Sequence, residues 1–216
     1  MKLGLIGIPG AGKTFLLGTL LKGGWKLHIH DFDGNLQILR PHATEENCVV
    51  KSYNSRDAKI WDLVKREADK ICQLPANEVV VFDSLSHLSE AMLKAGNVKF
   101  PENSYDAYEF VIEELKDFLA RLSSQAACHL IFNCHARYLE NDRKLLRLVP
   151  SIVGQGMPFA LSKYLNNLWL IETTTKERFV TTTSTSMADL KKSDLSLATT
   201  EPFDLALIFK KMGITP

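Results

Sequence analysis

The sequence predicts a three-layer α/β fold, a parallel sheet with helices on both faces, organised around a phosphate-binding loop. Apolar runs of strand length alternate with stretches of helical periodicity, the pattern of a parallel sheet buried on both sides. Residues 7–14 read GIPGAGKT, directly behind Leu3-Gly4-Leu5-Ile6 and directly ahead of Phe15-Leu16-Leu17. Several strand-like runs also end in a polar residue, at the carboxyl ends where open parallel sheets bind ligands.

Taken in order, residues 2–6 form the first strand and residues 13–21 the first helix, with the loop between them. Successive N–H groups of such a loop point at phosphate oxygens, and the helix N-terminus adds partial positive charge. Gly10 and Gly12 allow the close backbone approach this needs. Nucleotide contacts are expected from Gly7, Ile8, Pro9, Gly10, Ala11, Gly12, Lys13, Thr14 and Phe15. Lys13 reaches the β- and γ-phosphates of ATP, and the Thr14 hydroxyl holds Mg²⁺.

Residues 25–30 are the second strand, whose end reads HDFDG. Alternation puts Asp31 and Asp33 on one side if the strand persists. Asp33 is the candidate catalytic base, or else a turn residue ahead of Gly34. A helix follows over about 57–73, then a strand over 78–82 that delivers Asp83 and Ser84. An apolar strand ending in aspartate suits a Mg²⁺ site with Thr14; a helix cap for residues 84–93 is the alternative. Residues 105–124 carry one apolar stripe and read as a core helix.

The fourth strand, 127–134, delivers His135 at its tip, where it either senses the γ-phosphate or lies on the surface. Cys128, His129, Cys134 and His135 fit no zinc spacing. Residues 136–161 hold Pro150, Gly154, Gly156 and Pro158 without clean periodicity, so they read as an irregular functional loop. Two strands follow at 167–172 and 178–183, and a helix spanning 202–212 closes the chain with Gly213 just past its end.

With 216 residues, 45% of them hydrophobic, one domain over residues 1–216 is expected. A net charge of +1 announces no global attraction to nucleic acid, so partners have to be argued regionally. Four cysteines without CxxC pairing, and no membrane-length apolar run, point to a reduced, soluble, cytoplasmic protein.

Together GIPGAGKT, HDFDG, VVVFDS and IFNCHAR resemble the RecA-like P-loop ATPases. They look most like the compact AAA-type ATP-binding proteins of bacteriophages in the single-strand-annealing and recombinase group. The resemblance implies that His135 occupies the position of RecA's glutamine sensor and Asp33 that of its catalytic glutamate. Asp33 is one methylene shorter, which leaves Asp31 or a bridging water as substitutes. The resemblance also implies a cation supplied to a neighbouring subunit, for which Lys191 and Lys192 stand in the right region, with a solvated basic pair as the alternative.

In RecA-like proteins the loop after the fourth strand meets single-stranded DNA. Arg137, Tyr138, Arg143, Lys144 and Arg147 are the matching candidates here, against Glu140 and Asp142. The implied activity is Mg²⁺-dependent ATP hydrolysis in DNA recombination. Head-to-tail rings or filaments and a single-strand-binding protein are the implied partners, with no membrane. A small-molecule or nucleotide kinase and a regulatory or packaging NTPase module are the competing readings.

Overall fold

In the computed structural model, residues 1–54, 57, 59–141, 143–175 and 177–216 are described. The elements are β1 (Lys2–Gly7), α1 (Lys13–Lys22), β2 (Lys26–Asp31), β3 (Cys48–Ser52), α2 (Ile60–Ile71), β4 (Glu78–Asp83), α3 (Leu85–Lys99) and α4 (Ser104–Gln125). There follow β5 (His129–Glu140), β6 (Leu146–Pro150), the short α5 (Met157–Ala160), β7 (Asn167–Thr173), β8 (Arg178–Thr181), β9 (Thr200–Pro202) and α6 (Leu205–Lys211). The sheet order is β3-β2-β4-β5-β1-β7-β8-β9, and β6 pairs with β5 outside this path.

Pairing from β3 through β7 is parallel, and β8 and β9 add antiparallel strands at the far edge. Alternation along the parallel strands splits the core in two. Leu3, Leu5, Leu27, Ile29, Val79, Val81, Ile131 and Trp169 pack with α1 and α6. Val80, Phe82, Leu130, Phe132, Leu168 and Leu170 pack with α2, α3 and α4 on the opposite face. Burying one such side chain contributes about 1.5–3 kcal/mol, so two-sided burial outweighs strand propensity here.

The register places the site. Gly7 lies opposite His135, Asp83 opposite both Asn133 and Asp31, so the polar ends of β1, β2, β4 and β5 fall along one rim of the sheet. Beneath that rim a row of stacked rings ties the strands together: Tyr53 on His30 at 5.8 Å, His30 on Phe82 at 5.0 Å, and Phe82 on Phe132 at 5.2 Å. Burial pushes His30 down to about 4, so it is a neutral member of that row near pH 7.

Three sequence expectations are corrected. The stretch 136–161 is not an irregular loop in its first half: β5 continues to Glu140 and pairs antiparallel with β6 from Ala136–Pro150 to Glu140–Leu146. Arg137, Arg147 and their neighbours pair across this hairpin, so its regularity lies in cross-strand partners that one-dimensional periodicity does not register. The last helix starts at Leu205 with Asp204 as its cap, because Glu201 and Pro202 belong to β9. Strand β3 was not anticipated, since its Val49 and Val50 are exposed at the sheet edge. Asp142 lies outside the described residues.

The contact between α3 and α4 depends on Gly96, where an added Cβ would come within 2.9 Å of the backbone oxygen of Ala107. Gly96→Ala is therefore expected to cost about 1–3 kcal/mol by overpacking, lowering Tm by roughly 2–4 °C per kcal/mol. A thermal melt checks this, and an unchanged Tm would mean that the two helices separate without cost.

Candidate active site

The phosphate loop joins β1 to α1 with Gly10 at φ 79° and Gly12 at φ 101°, both in the left-handed region that favours glycine. A side chain on Gly12 would also strike Phe203, 2.7 Å from where its Cβ would stand. The Lys13 ammonium donates to the backbone oxygens of Gly7 at 2.8 Å and Ile8 at 3.3 Å. Burial lowers its pKa, opposed by the nearby carboxylates of Asp83 and Asp33. Phe15, the next residue but one, is partly exposed and stacks on Phe203 at 5.8 Å.

Asp83 ends β4 almost fully buried. Thr14 Oγ1 donates to its Oδ2 at 2.9 Å and Asn133 Nδ2 to its Oδ1 at 3.0 Å. Burial pushes the Asp83 carboxyl up; the Asn133 bond works against this, and the nearby charge of Asp33 adds to it. Thr14 and Asp83 form an oxygen donor pair, the hard ligand type that Mg²⁺ takes, and a divalent cation there would oppose the same burial. The residues present fit that ion.

Asp33 reaches the same rim by a turn. Strand β2 stops at Asp31, whose Oδ1 accepts from the N–H groups of Asp33 at 3.1 Å and Gly34 at 2.8 Å. Asp31 is thus the turn residue, and because the strand ends there, its alternation does not extend to Asp33. Asp33 Oδ1 accepts from Ser84 N at 3.0 Å, from Ser84 Oγ at 2.8 Å and from His87 Nδ1 in a short contact. Asp33 Oδ2 pairs with His135 Nε2 at 3.1 Å. Burial would raise the Asp33 carboxyl, but the bonds from His135, His87 and Ser84 override it and hold it well below the usual carboxylate range.

His135 therefore sits at the site and not on the open surface, with its backbone N–H on Ser86 Oγ at 2.9 Å. Donor atoms of Asp33, His87 and His135 lie within 4.8 Å of one another, a spacing open to a transition ion, though the trio is already closed by its own hydrogen bonds. Two members of the site escaped the sequence reading. Asn133 lies inside an apolar strand, and His87 lies one turn into α3, three residues after the cap Ser84. The spacing Ser84-x-x-His87 was the available signal, because a cap and the residue three on share a helix face.

The remaining candidates separate. Arg147 is buried, donating to Ser186 O at 2.6 Å, to Thr185 O at 3.2 Å and to Asp189. Arg137 donates to Ile152 O at 3.0 Å and Gly154 O at 3.3 Å. Both guanidiniums hold their own chain together, which corrects their assignment to a nucleic-acid surface. Tyr138, Arg143 and Lys144 are exposed on the hairpin. A groove of about 790 Å³ runs beside it, lined by Leu139, Asn141, Gln155, Phe159 and Lys163 among others.

Lys191 donates to Ser162 O at 2.9 Å and Leu165 O at 2.6 Å, and Lys192 to Leu197 O at 2.9 Å. These ammoniums fasten the segment after β8 to its own chain. Among the described residues no helix is long and apolar enough to cross a membrane.

No protein-family model matches the chain. One curated protein, a probable E3 ubiquitin-protein ligase makorin-1 of Takifugu rubripes, is 31% identical over 87 residues, 40% of this chain. The chain spans about a fifth of that ligase's length, 20%. Among solved structures it is similar to the RadB recombinase, with a TM-score of 0.55 and 15% identity over 84% of this chain and 79% of that one. It is also similar to a type III secretion system ATPase of pathogenic bacteria, with TM-score 0.54 and 15% identity over 79% of this chain and 52% of that one. The assembled ATPase EscN of enteropathogenic E. coli, in complex with its central stalk EscO, gives 0.53 and 14% over 80% and 42%. The fold is RecA-like.

Proposed function

We propose that this protein binds and hydrolyses a nucleoside triphosphate with Mg²⁺, and that it couples this to single-stranded DNA in recombination by annealing or strand exchange. The observation that carries the nucleotide reading is the Lys13–Thr14–Asp83–Asn133 arrangement at the carboxyl ends of β1, β4 and β5. Lys13 moves from the loop carbonyls to the β- and γ-phosphates. Loop N–H groups and the start of α1 take the remaining phosphate charge. Thr14 and Asp83 would hold Mg²⁺, which would supply positive charge against the phosphates. Asp33, fixed by four hydrogen-bonding groups, orients the water side of the site.

The DNA reading rests on the β5–β6 hairpin and its groove. Tyr138 and Phe159 offer rings for bases, while Arg143, Lys144 and Lys163 offer charge for phosphates. The kinase reading fits less well, because the arginines a lid would need, Arg137 and Arg147, are tied to carbonyls of their own chain. Self-association is part of the proposal, as one similar structure is that of an assembled ATPase.

A labelled oligo-dT strand at low salt tests the DNA reading. Binding is expected, weakening steeply as salt rises because counterions are released from the strand. Arg143→Glu with Lys144→Glu is expected to reduce it at least about tenfold, each charged contact being worth roughly 1.5–3 kcal/mol. No binding at low salt, together with phosphate transfer to a nucleoside monophosphate, would replace this reading with a kinase.

A further inference from the structure

We propose that His87 is the catalytic residue that takes the proton from the attacking water, with Asp33 holding its ring from behind. This rests on the hydrolysis reading above and assigns a group within it. The pair is built as a carboxylate orienting an imidazole, Asp33 Oδ1 against His87 Nδ1, which leaves Nε2 directed away from the carboxylate. Ser84 fixes both partners. It donates to Asp33 through its hydroxyl and N–H, and its hydroxyl also caps α3 by accepting from the backbone N–H of His87 at 3.3 Å.

The other two groups are poor acceptors by position. Both oxygens of Asp33 are engaged, and its hydrogen bonds hold it far below the usual carboxylate range, so as a carboxylate it is weakly basic. His135 has Nε2 on Asp33, and its Nδ1 is buried without a partner and away from water. The His87 side chain is 37% exposed against 24% for His135 and 12% for Asp33, so it is the member of the trio that solvent reaches most readily.

In the step, the water oxygen forms a bond to the γ-phosphorus and its proton passes to His87 Nε2. The bond from the γ-phosphorus to the bridging oxygen breaks, its electron pair leaving with the nucleoside diphosphate, and His87 returns the proton to solvent. Among the described residues, the titratable groups touching His87 are Asp33 from the turn after β2 and His135 from the β5 tip, 5.2 Å ring to ring. Lys13 and Asp83 act on this trio through the charge of Asp33.

The test uses the full chain with Mg-ATP, comparing wild type with His87→Gln and His87→Ala. Turnover is followed from pH 5.5 to 9, and binding of a fluorescent ATP analogue is measured in parallel. Loss of a general base is expected to lower kcat about 10²–10⁴-fold, with nucleotide affinity within about threefold of wild type. Added imidazole should restore part of the rate to His87→Ala. A thermal melt identifies a variant that has lost its fold, in which case the other is read. A folded variant that keeps its turnover, or a His87→Ala rate that added imidazole leaves unchanged, overturns the assignment while leaving hydrolysis intact. Wild-type protein that binds ATP but never hydrolyses it overturns the hydrolysis reading, and His87 with it.

Discussion

Lys13→Ala is expected to weaken ATP binding about a hundredfold or more and to remove turnover. The Lys13 ammonium is buried against its own loop, held 2.8 Å from Gly7 O and 3.3 Å from Ile8 O. In the bound state those neutral partners are exchanged for phosphate oxygens of full negative charge. A hydrogen bond to a charged group is worth about 1.5–3 kcal/mol, and two of them correspond to roughly 10²–10⁴ in affinity. The loss falls more heavily on turnover, because charge on the transferred phosphoryl group has to be met by groups already in place. Fluorescent-nucleotide titration and phosphate release measure the two effects. Normal turnover in this variant would remove the basis for reading residues 7–14 as a nucleotide site.

Asp33→Asn is the second large effect, and it falls on rate and not on binding. Asp33 lies within the turn that Asp31 closes and touches neither Lys13 nor Thr14 in a hydrogen bond among the described residues. Nucleotide affinity should therefore stay within about threefold, while turnover falls about 10²–10⁴-fold, the range for a displaced acid–base group. An amide has one acceptor oxygen where the carboxylate offers two, so the bond to His135 or the set from His87 and Ser84 is lost.

Stability should fall as well, in a way that depends on pH. The folded carboxyl lies below its unfolded value, so its contribution is complete above the unfolded carboxylate range near pH 4 and is lost as the pH drops through the folded value. The Tm gap between wild type and variant should hold at neutral pH and narrow under strong acid. An equal gap at pH 3 and pH 7 would show that the charge of Asp33 does not support the fold, and unchanged hydrolysis would take water orientation away from this residue.

The parts legible in the sequence were those fixed by local chemistry. A glycine loop between an apolar strand and a helix announces itself, and VVVFDS carries its aspartate to the strand end because the pleat is unbroken up to that residue. What stayed hidden depends on partners distant in the chain. Asn133 reads as an interruption in an apolar run until β4 brings Asp83 beside it, 50 residues away in sequence. His87 reads as one more polar residue on α3 until the turn after β2 delivers Asp33. Arg147 reads as a surface charge until the segment after β8 folds over it and presents Asp189. Of two aspartates two residues apart, the sequence could not say which closes the turn, since either side chain can accept from the N–H groups ahead of it.

Strand β5 runs from His129 to Glu140 without interruption. Its first half is held between β1 and β4, and its second half leaves the sheet to pair only with β6. At about 3.3 Å per residue, the five steps from His135 to the strand end span roughly 17 Å. The arm and the imidazole at its root thus share one continuous strand. Any contact made at the hairpin tip is joined to the Asp33–His135 bond by a single run of backbone.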